Sequence, residues 1–198
     1  MIELSYSEAT ALATKAARGA GHHWGEAEEA AIATSWLCAA GYDGLKHLHR
    51  AITHIDTPAC PLKVGIQILD FARIKTGAID QNTVFLSIKE PIFVLPFAVQ
   101  AAKIRQQNLT FHVDHHAISI DAHGHVNGIG SVQDIAQASL KVVPAHTKAI
   151  YNKTHPNRRV FTQVDTFDAL TSLAHMTYVP ATEASRAAGA GAGTSDND

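Results

Sequence analysis

Near its C-terminal end the chain places a carboxylate and a guanidinium three positions apart, Glu183 and Arg186, with Thr182 and Ser185 beside them. Pro180 suits the first turn of a helix, where its missing N–H is no loss. On that helix Glu183 and Arg186 share a face. An arginine fork matches a carboxylate bidentately, and Glu or His is the usual proton carrier. The chemistry this predicts is a site for a carboxylate-bearing metabolite. Arg186 would hold the anion with Arg18 as a second cation, Glu183 or His175 would handle a proton, and Tyr178 and Ser185 would add hydroxyls. Glycines at 189, 191 and 193 end the helix and allow close backbone approach. The competing reading is a short terminal helix with an acidic end. There Glu183 and Arg186 neutralise each other at the surface, worth ~0.2–0.5 kcal/mol.

A second candidate is the run His112-Val113-Asp114-His115-His116, part of a chain with 13 histidines. A continuous strand would put His112, Asp114 and His116 on one face, a donor set that could hold a divalent metal. Metal ligands usually converge from separate elements, so the run reads as an exposed strand face and no metal is expected. No GxSxG, HExxH, GxGxxG or P-loop spacing occurs. The Gly-Ala-Gly-Ala-Gly run has no strand before it and no helix after it, so it is not a dinucleotide fingerprint. No cofactor is expected.

The elements that must position these groups begin with a capping box, Ser5-Tyr6-Ser7-Glu8, opening a helix with Ala9, Leu12, Ala13, Ala16 and Ala20 on one side. A second helix from about Gly25 to Ala40 carries Ile32, Trp36, Leu37 and Ala40 as its apolar stripe. Asp43 caps a third, with Leu45, Leu48, Ile52 and Ile55 inward. Thr57–Pro61 is a linker by its prolines, and 62–75 favours a helix over a strand. Thr83–Ile88 alternates as a strand, and Pro91–Leu95 is an apolar run that fits a buried one. Pro96–Gln106 is a helix. Leu109–Asp121 is a long strand, turned at His123-Gly124-His125 onto Val126–Ile129. Ser131 starts a helix to about Leu140, residues 144–158 form a long surface loop, Val160–Val164 a strand, and Thr166 caps a last helix. The expected fold is α+β: a helical cap over 1–56, a small mixed sheet covered by helices over 62–188, and a Gly/Ala-rich acidic tail over 189–198, in one compact domain.

Composition narrows the partners. A formal net charge of −2 without a basic run disfavours nucleic acid. No apolar run approaches ~18 residues, so no membrane span is expected. Cys38 and Cys60 make no framework and suit a reducing compartment. With no signal peptide visible, this predicts the cytoplasm.

Three segments carry a family resemblance: Lys15-Ala16-Ala17-Arg18-Gly19-Ala20-Gly21, Glu90-Pro91 with Leu95-Pro96-Phe97, and Tyr178-Val179-Pro180 through Asp198. Together they resemble the bacterial domain-of-unknown-function family DUF3726, whose members are of similar size. That resemblance implies no particular activity. Residues 3–45 also resemble the N-terminal cap of malate/sulfolactate-type dehydrogenases. The chain is too short for that family's nicotinamide-binding domain, so neither NAD nor a catalytic residue follows. Two function classes stand side by side: a small-molecule catabolic enzyme using the C-terminal Glu/Arg site, and a non-catalytic binding module or partner subunit, whose Ala-rich helices pack on another chain or copy.

Overall fold

A computed structural model describes residues 1–53, 55, 57–74, 84–145 and 159–178. The fold is α+β, with helices leading. After a short strand β1 (Ile2–Leu4), helix α1 (Tyr6–Gly19) opens on the expected capping box: the Ser5 N–H donates to Glu8 Oε2 (2.7 Å) and the Glu8 N–H to Ser5 Oγ (3.2 Å). Helix α2 (Trp24–Ala39) lies against it, joined by a Thr10–Ser35 hydroxyl contact (2.8 Å). The buried face of α2 is its alanine face, Ala27, Ala30, Ala31, Ala33 and Leu37, while Ile32 is exposed, not part of an inward stripe. Small side chains let two backbones approach closely, and that outweighs the larger apolar residue.

Helix α3 (Gly44–Ile52) is capped by Asp43, whose Oδ1 accepts from the Lys46 N–H (3.0 Å), and it buries Leu45, Leu48 and Ile52. Helix α4 (Pro61–Arg73) starts on proline, so 62–73 is helical, and Ile74 ends it in an extended conformation. Strand β2 (Val84–Lys89) follows, then helix α5 (Leu95–Arg105). Between them Pro91–Val94 forms a buried 3-10 turn where a strand was expected. Pro91 cannot donate to a ladder, and the Phe93 N–H closes back on the Glu90 carbonyl (2.9 Å). Pro91 to Val99 is buried throughout and touches α2, α3 and α4, so the core runs through this segment. At α4 the approach needs Gly65, since a Cβ there would lie 2.4 Å from the Phe97 ring.

The remaining strands are β3 (Leu109–Val113), β4 (His116–Ile120), β5 (Val126–Asn127), β6 (Gln137–Pro144) and β7 (Val160–Thr162), before helix α6 (Val164–His175). The main sheet runs β2-β6-β3-β4-β5, and every pairing in it is antiparallel, not mixed. No helix crosses over between neighbouring strands as a parallel pair would need. Its inner face is Ile88, Leu109, Phe111, Val113, Ile118, Ile120, Ala138, Leu140 and Val142. Residues 131–140 are therefore not a helix. Ala138, Leu140 and Val142 have period two, and pairing on both edges of β6 settles the matter. Strand β1 pairs with β7, bringing the two ends of the described chain together.

The long strand expected over 109–121 is instead a hairpin, turned at Asp114-His115. Asp114 takes φ 48, a left-handed value that Asp tolerates better than most side chains. Its Oδ1 accepts from the Ser139 N–H (2.8 Å), which docks the turn on β6. His112 faces Ala117 and His116 faces Val113 across the hairpin, so the two imidazoles lie on opposite faces. Among the described residues no three metal-ligating side chains cluster, and no helix is long and apolar enough to cross a membrane.

Helices α1 and α6 pack through Gly19, where a Cβ would sit 1.7 Å from the Leu173 carbonyl oxygen. Because that neighbour is backbone, it cannot rotate away. Gly19→Ala is expected to destabilise the protein by about 1–3 kcal/mol, read from urea unfolding; an unchanged midpoint would contradict this packing.

Candidate functional site

Of the residues expected to carry chemistry, Glu183, Ser185 and Arg186 lie outside the described residues, as do the Gly/Ala tail and 146–158 of the expected loop. His175, Tyr178 and Arg18 are described, and they part company. Arg18 donates through Nη1 to the His22 carbonyl at the end of α1, and its guanidinium carbon lies 4.7 Å from the centroid of the Trp24 ring. Nη1 thus helps to close the α1–α2 turn, while the buried Arg18 Nε has no hydrogen-bond partner among the described residues.

His175 and Tyr178 line a cleft of about 330 Å³ between α1 and α6. Its floor is apolar, from Leu4, Leu12, Phe167 and Ala174, and its rim carries Glu8 and Lys15. The Lys15 Nζ donates to the Tyr178 hydroxyl at 3.4 Å, the long end of a hydrogen bond, and lies 5.5 Å from the ring centroid. Those two distances put the ammonium off the hydroxyl edge, so the hydroxyl, not the π face, carries the contact. The His175 and Tyr178 ring centroids are 5.5 Å apart. Thr171 adds a buried hydroxyl in the same cleft with no hydrogen-bond partner among the described residues. Buried hydroxyls are nearly always satisfied, so this one points to a group that the cleft receives. Glu8 is held below the ordinary carboxylate range by the Ser5 N–H and then the Ser5 hydroxyl, which ties its charge to the helix cap.

Sequence reasoning missed a second constellation. His47 on α3 and Glu90 before the 3-10 turn are both buried, and their Nδ1 and Oε1 atoms are 2.6 Å apart. Arg50 Nη1 lies 3.8 Å from the same oxygen, and its side chain is half exposed. Glu90 takes a left-handed φ of 46. For a non-glycine residue that costs about 1–2 kcal/mol and persists only where contacts over-determine it. The available signal was Glu90-Pro91 directly before an apolar run: a carboxylate entering a core needs a partner.

The cysteines offer no nucleophile. Burial above all pushes the Cys38 thiol up to about 11, and burial raises Cys60 as well. The thiolate is the reactive species, so both are expected to react with a thiol-specific disulfide reagent only as fast as the protein unfolds. Rapid native-state labelling of either would contradict this.

The Glu90 geometry makes its own prediction. Glu90→Ala strands the His47 nitrogen and is expected to destabilise by about 1–3 kcal/mol. Glu90→Gly loses the same carboxylate but relieves the left-handed backbone, so it should be the milder change by about 1 kcal/mol. Denaturant unfolding of the two variants measures the difference; equal costs would mean that the backbone there is unstrained.

No curated protein and no solved structure matches the chain. The motifs at Glu90–Phe97 and Tyr178–Asp198 lie beyond the segment that a family comparison covers. Residues 4–83 match the family described as protein of unknown function (DUF3726), the family that Lys15–Gly21 resembles.

Proposed function

We propose that the protein binds a small carboxylate-bearing metabolite in the cleft between α1 and α6 and acts on it as a catabolic enzyme. The observation that carries this reading is the buried Thr171 hydroxyl, without a partner among the described residues, in a cleft whose rim holds Lys15, Tyr178 and His175. The ammonium and the Tyr178 hydroxyl would take the carboxylate. Thr171 would take a second polar atom, and the apolar floor would take the ligand's carbon body. His175 is exposed at the end of α6 beside the Tyr178 ring and is proposed as the group that passes a proton to or from a bound molecule. Glu183, Ser185 and Arg186 follow Tyr178 closely in the chain and are proposed as further contributors, with Arg186 as a second hold on the anion. The setting that fits is small-molecule metabolism in the cytoplasm of a bacterium.

The second reading is a non-catalytic module that packs on a partner or a second copy. It is favoured by the exposure of Trp24, Ile32, Leu86 and Met176, each more than half exposed.

A panel of carboxylate metabolites screened by thermal midpoint separates the two. The expected outcome is one class of carboxylate that raises the midpoint of the full chain. Lys15→Ala should weaken its binding by roughly tenfold, the loss of one charged hydrogen bond. His175→Gln should leave binding near normal and abolish turnover. No stabilising carboxylate, together with a dimer or larger species by sedimentation, would favour the second reading.

A further inference from the structure

A separate cavity of about 570 Å³ opens between α3 and the start of α6, lined by Asp43, Lys46, His49, Arg50, Asp165 and Thr166 among its polar side chains. One of these is already satisfied in the fold. Asp43 caps α3 through Oδ1 and accepts from the Thr162 hydroxyl through Oδ2 (3.1 Å), while Thr166 lies within the first turn of α6. The others are not. The Lys46 ammonium, the His49 ring and the Asp165 carboxylate have neither a hydrogen bond nor an ion pair among the described residues. Among the described residues Arg50 has only Glu90, at 3.8 Å and beyond hydrogen-bond reach, which leaves its N–H groups without an acceptor there. Charges of both signs therefore face one cavity without pairing across it.

An ordinary solvated surface would let Lys46 and Asp165 meet or disperse. Here α3 and α6 hold them on opposite walls, and α3 is itself fixed from behind by the buried His47–Glu90 contact. A ligand of one sign alone would meet a repelling wall: an anion would face Asp165, and a cation Lys46 and Arg50. A zwitterion satisfies both.

We propose that this cavity is a second ligand site, taking a small zwitterion of the amino-acid class, with its carboxylate held by Lys46 and Arg50 and its ammonium by Asp165. An arginine and a lysine on successive positions of one helical face (i, i+4) can grip the two oxygens of one carboxylate. His49, a turn from Lys46, is placed to accept or donate to a polar side chain on the ligand. The volume admits an amino acid with a large side chain.

The test uses the full chain, with each standard L-amino acid as a probe, followed by chemical-shift titration or calorimetry. The best binder is then compared with its deaminated acid, which keeps the carboxylate and lacks the ammonium. Saturable binding is expected, at least roughly tenfold tighter for the amino acid than for the deaminated acid. Lys46→Gln should weaken both by a similar factor. Asp165→Asn should erase the preference for the amino acid while sparing the deaminated acid. Neither residue has a partner among the described residues, so both variants are expected to keep the thermal midpoint of the parent. Lys15→Ala, in the other cleft, should change nothing here. Absence of binding by any amino acid overturns the proposal. So does a deaminated acid that binds equally well, or binding that survives both Lys46→Gln and Asp165→Asn.

Discussion

A carboxylate entering a hydrophobic core must find a partner, and Glu90 meets that constraint in a way that organises the fold. Its backbone turns left-handed and its N–H donates to the Ala136 carbonyl (2.9 Å) at the approach to β6. Its carboxylate reaches in the other direction, to His47 on α3. One residue thus joins the sheet to the helical front, and the chain leaving it runs straight into the buried Pro91–Val99 segment. Neighbouring Lys89 donates its N–H to the Ala59 carbonyl (3.2 Å), which ties the same corner to the start of α4. The strain of the left-handed turn, of the order of 1–2 kcal/mol, is offset by contacts on both sides of it.

The helical front works by close approach instead. Ala9, Ala13, Ala16 and Ala17 on α1 meet the alanine face of α2, and Gly19 lets the α6 backbone in. Such packing trades buried area per residue for short interhelical distance, which leaves Ile32 and Trp24 outside. It also sets the width of the α1–α6 cleft. Were α1 studded with leucines, α6 would stand further off, and Lys15 would not reach Tyr178.

The two cavities on either side of α6 differ in kind. One has an apolar floor and a polar rim with a buried hydroxyl inside it. The other is lined by charged side chains of both signs, of which Lys46 and Asp165 have no ion-pair partner among the described residues. The first suits a carboxylate with a carbon body and the second a zwitterion, and the helix between them is the element they share.

Much of the local architecture was written in the chain. Ser5 with Glu8 set the start of α1, Asp43 that of α3 and Pro61 that of α4, because caps and first-turn prolines act within one helical turn and need no distant partner. Alternation revealed the inner residues of β3 and β7 for the same reason, but not those of β2, where a register shift between Phe85 and Ile88 leaves Val84 and Leu86 exposed. Where distant partners decide, local pattern misled. Residues 137–144 became a strand because β2 and β3 flank them, and 91–94 became a 3-10 turn because Pro91 cannot donate to a ladder. The break at Asp114-His115 lacks the glycine that usually marks a tight turn and is held instead by Ser139, far away in sequence. The sites divide in the same way. His175 and Tyr178 could be named from their types, but that Lys15 and Thr171 join them follows only from the docking of α6 on α1. Arg18 had the chemistry of a ligand holder and was drawn by the nearby His22 carbonyl and Trp24 ring. The His47–Glu90 contact joins residues 43 positions apart, and nothing in their spacing announces it. Sequence alone determined which segments could be helices and where they begin; tertiary structure decided which charges meet, since that depends on packing between segments that the local chain does not encode.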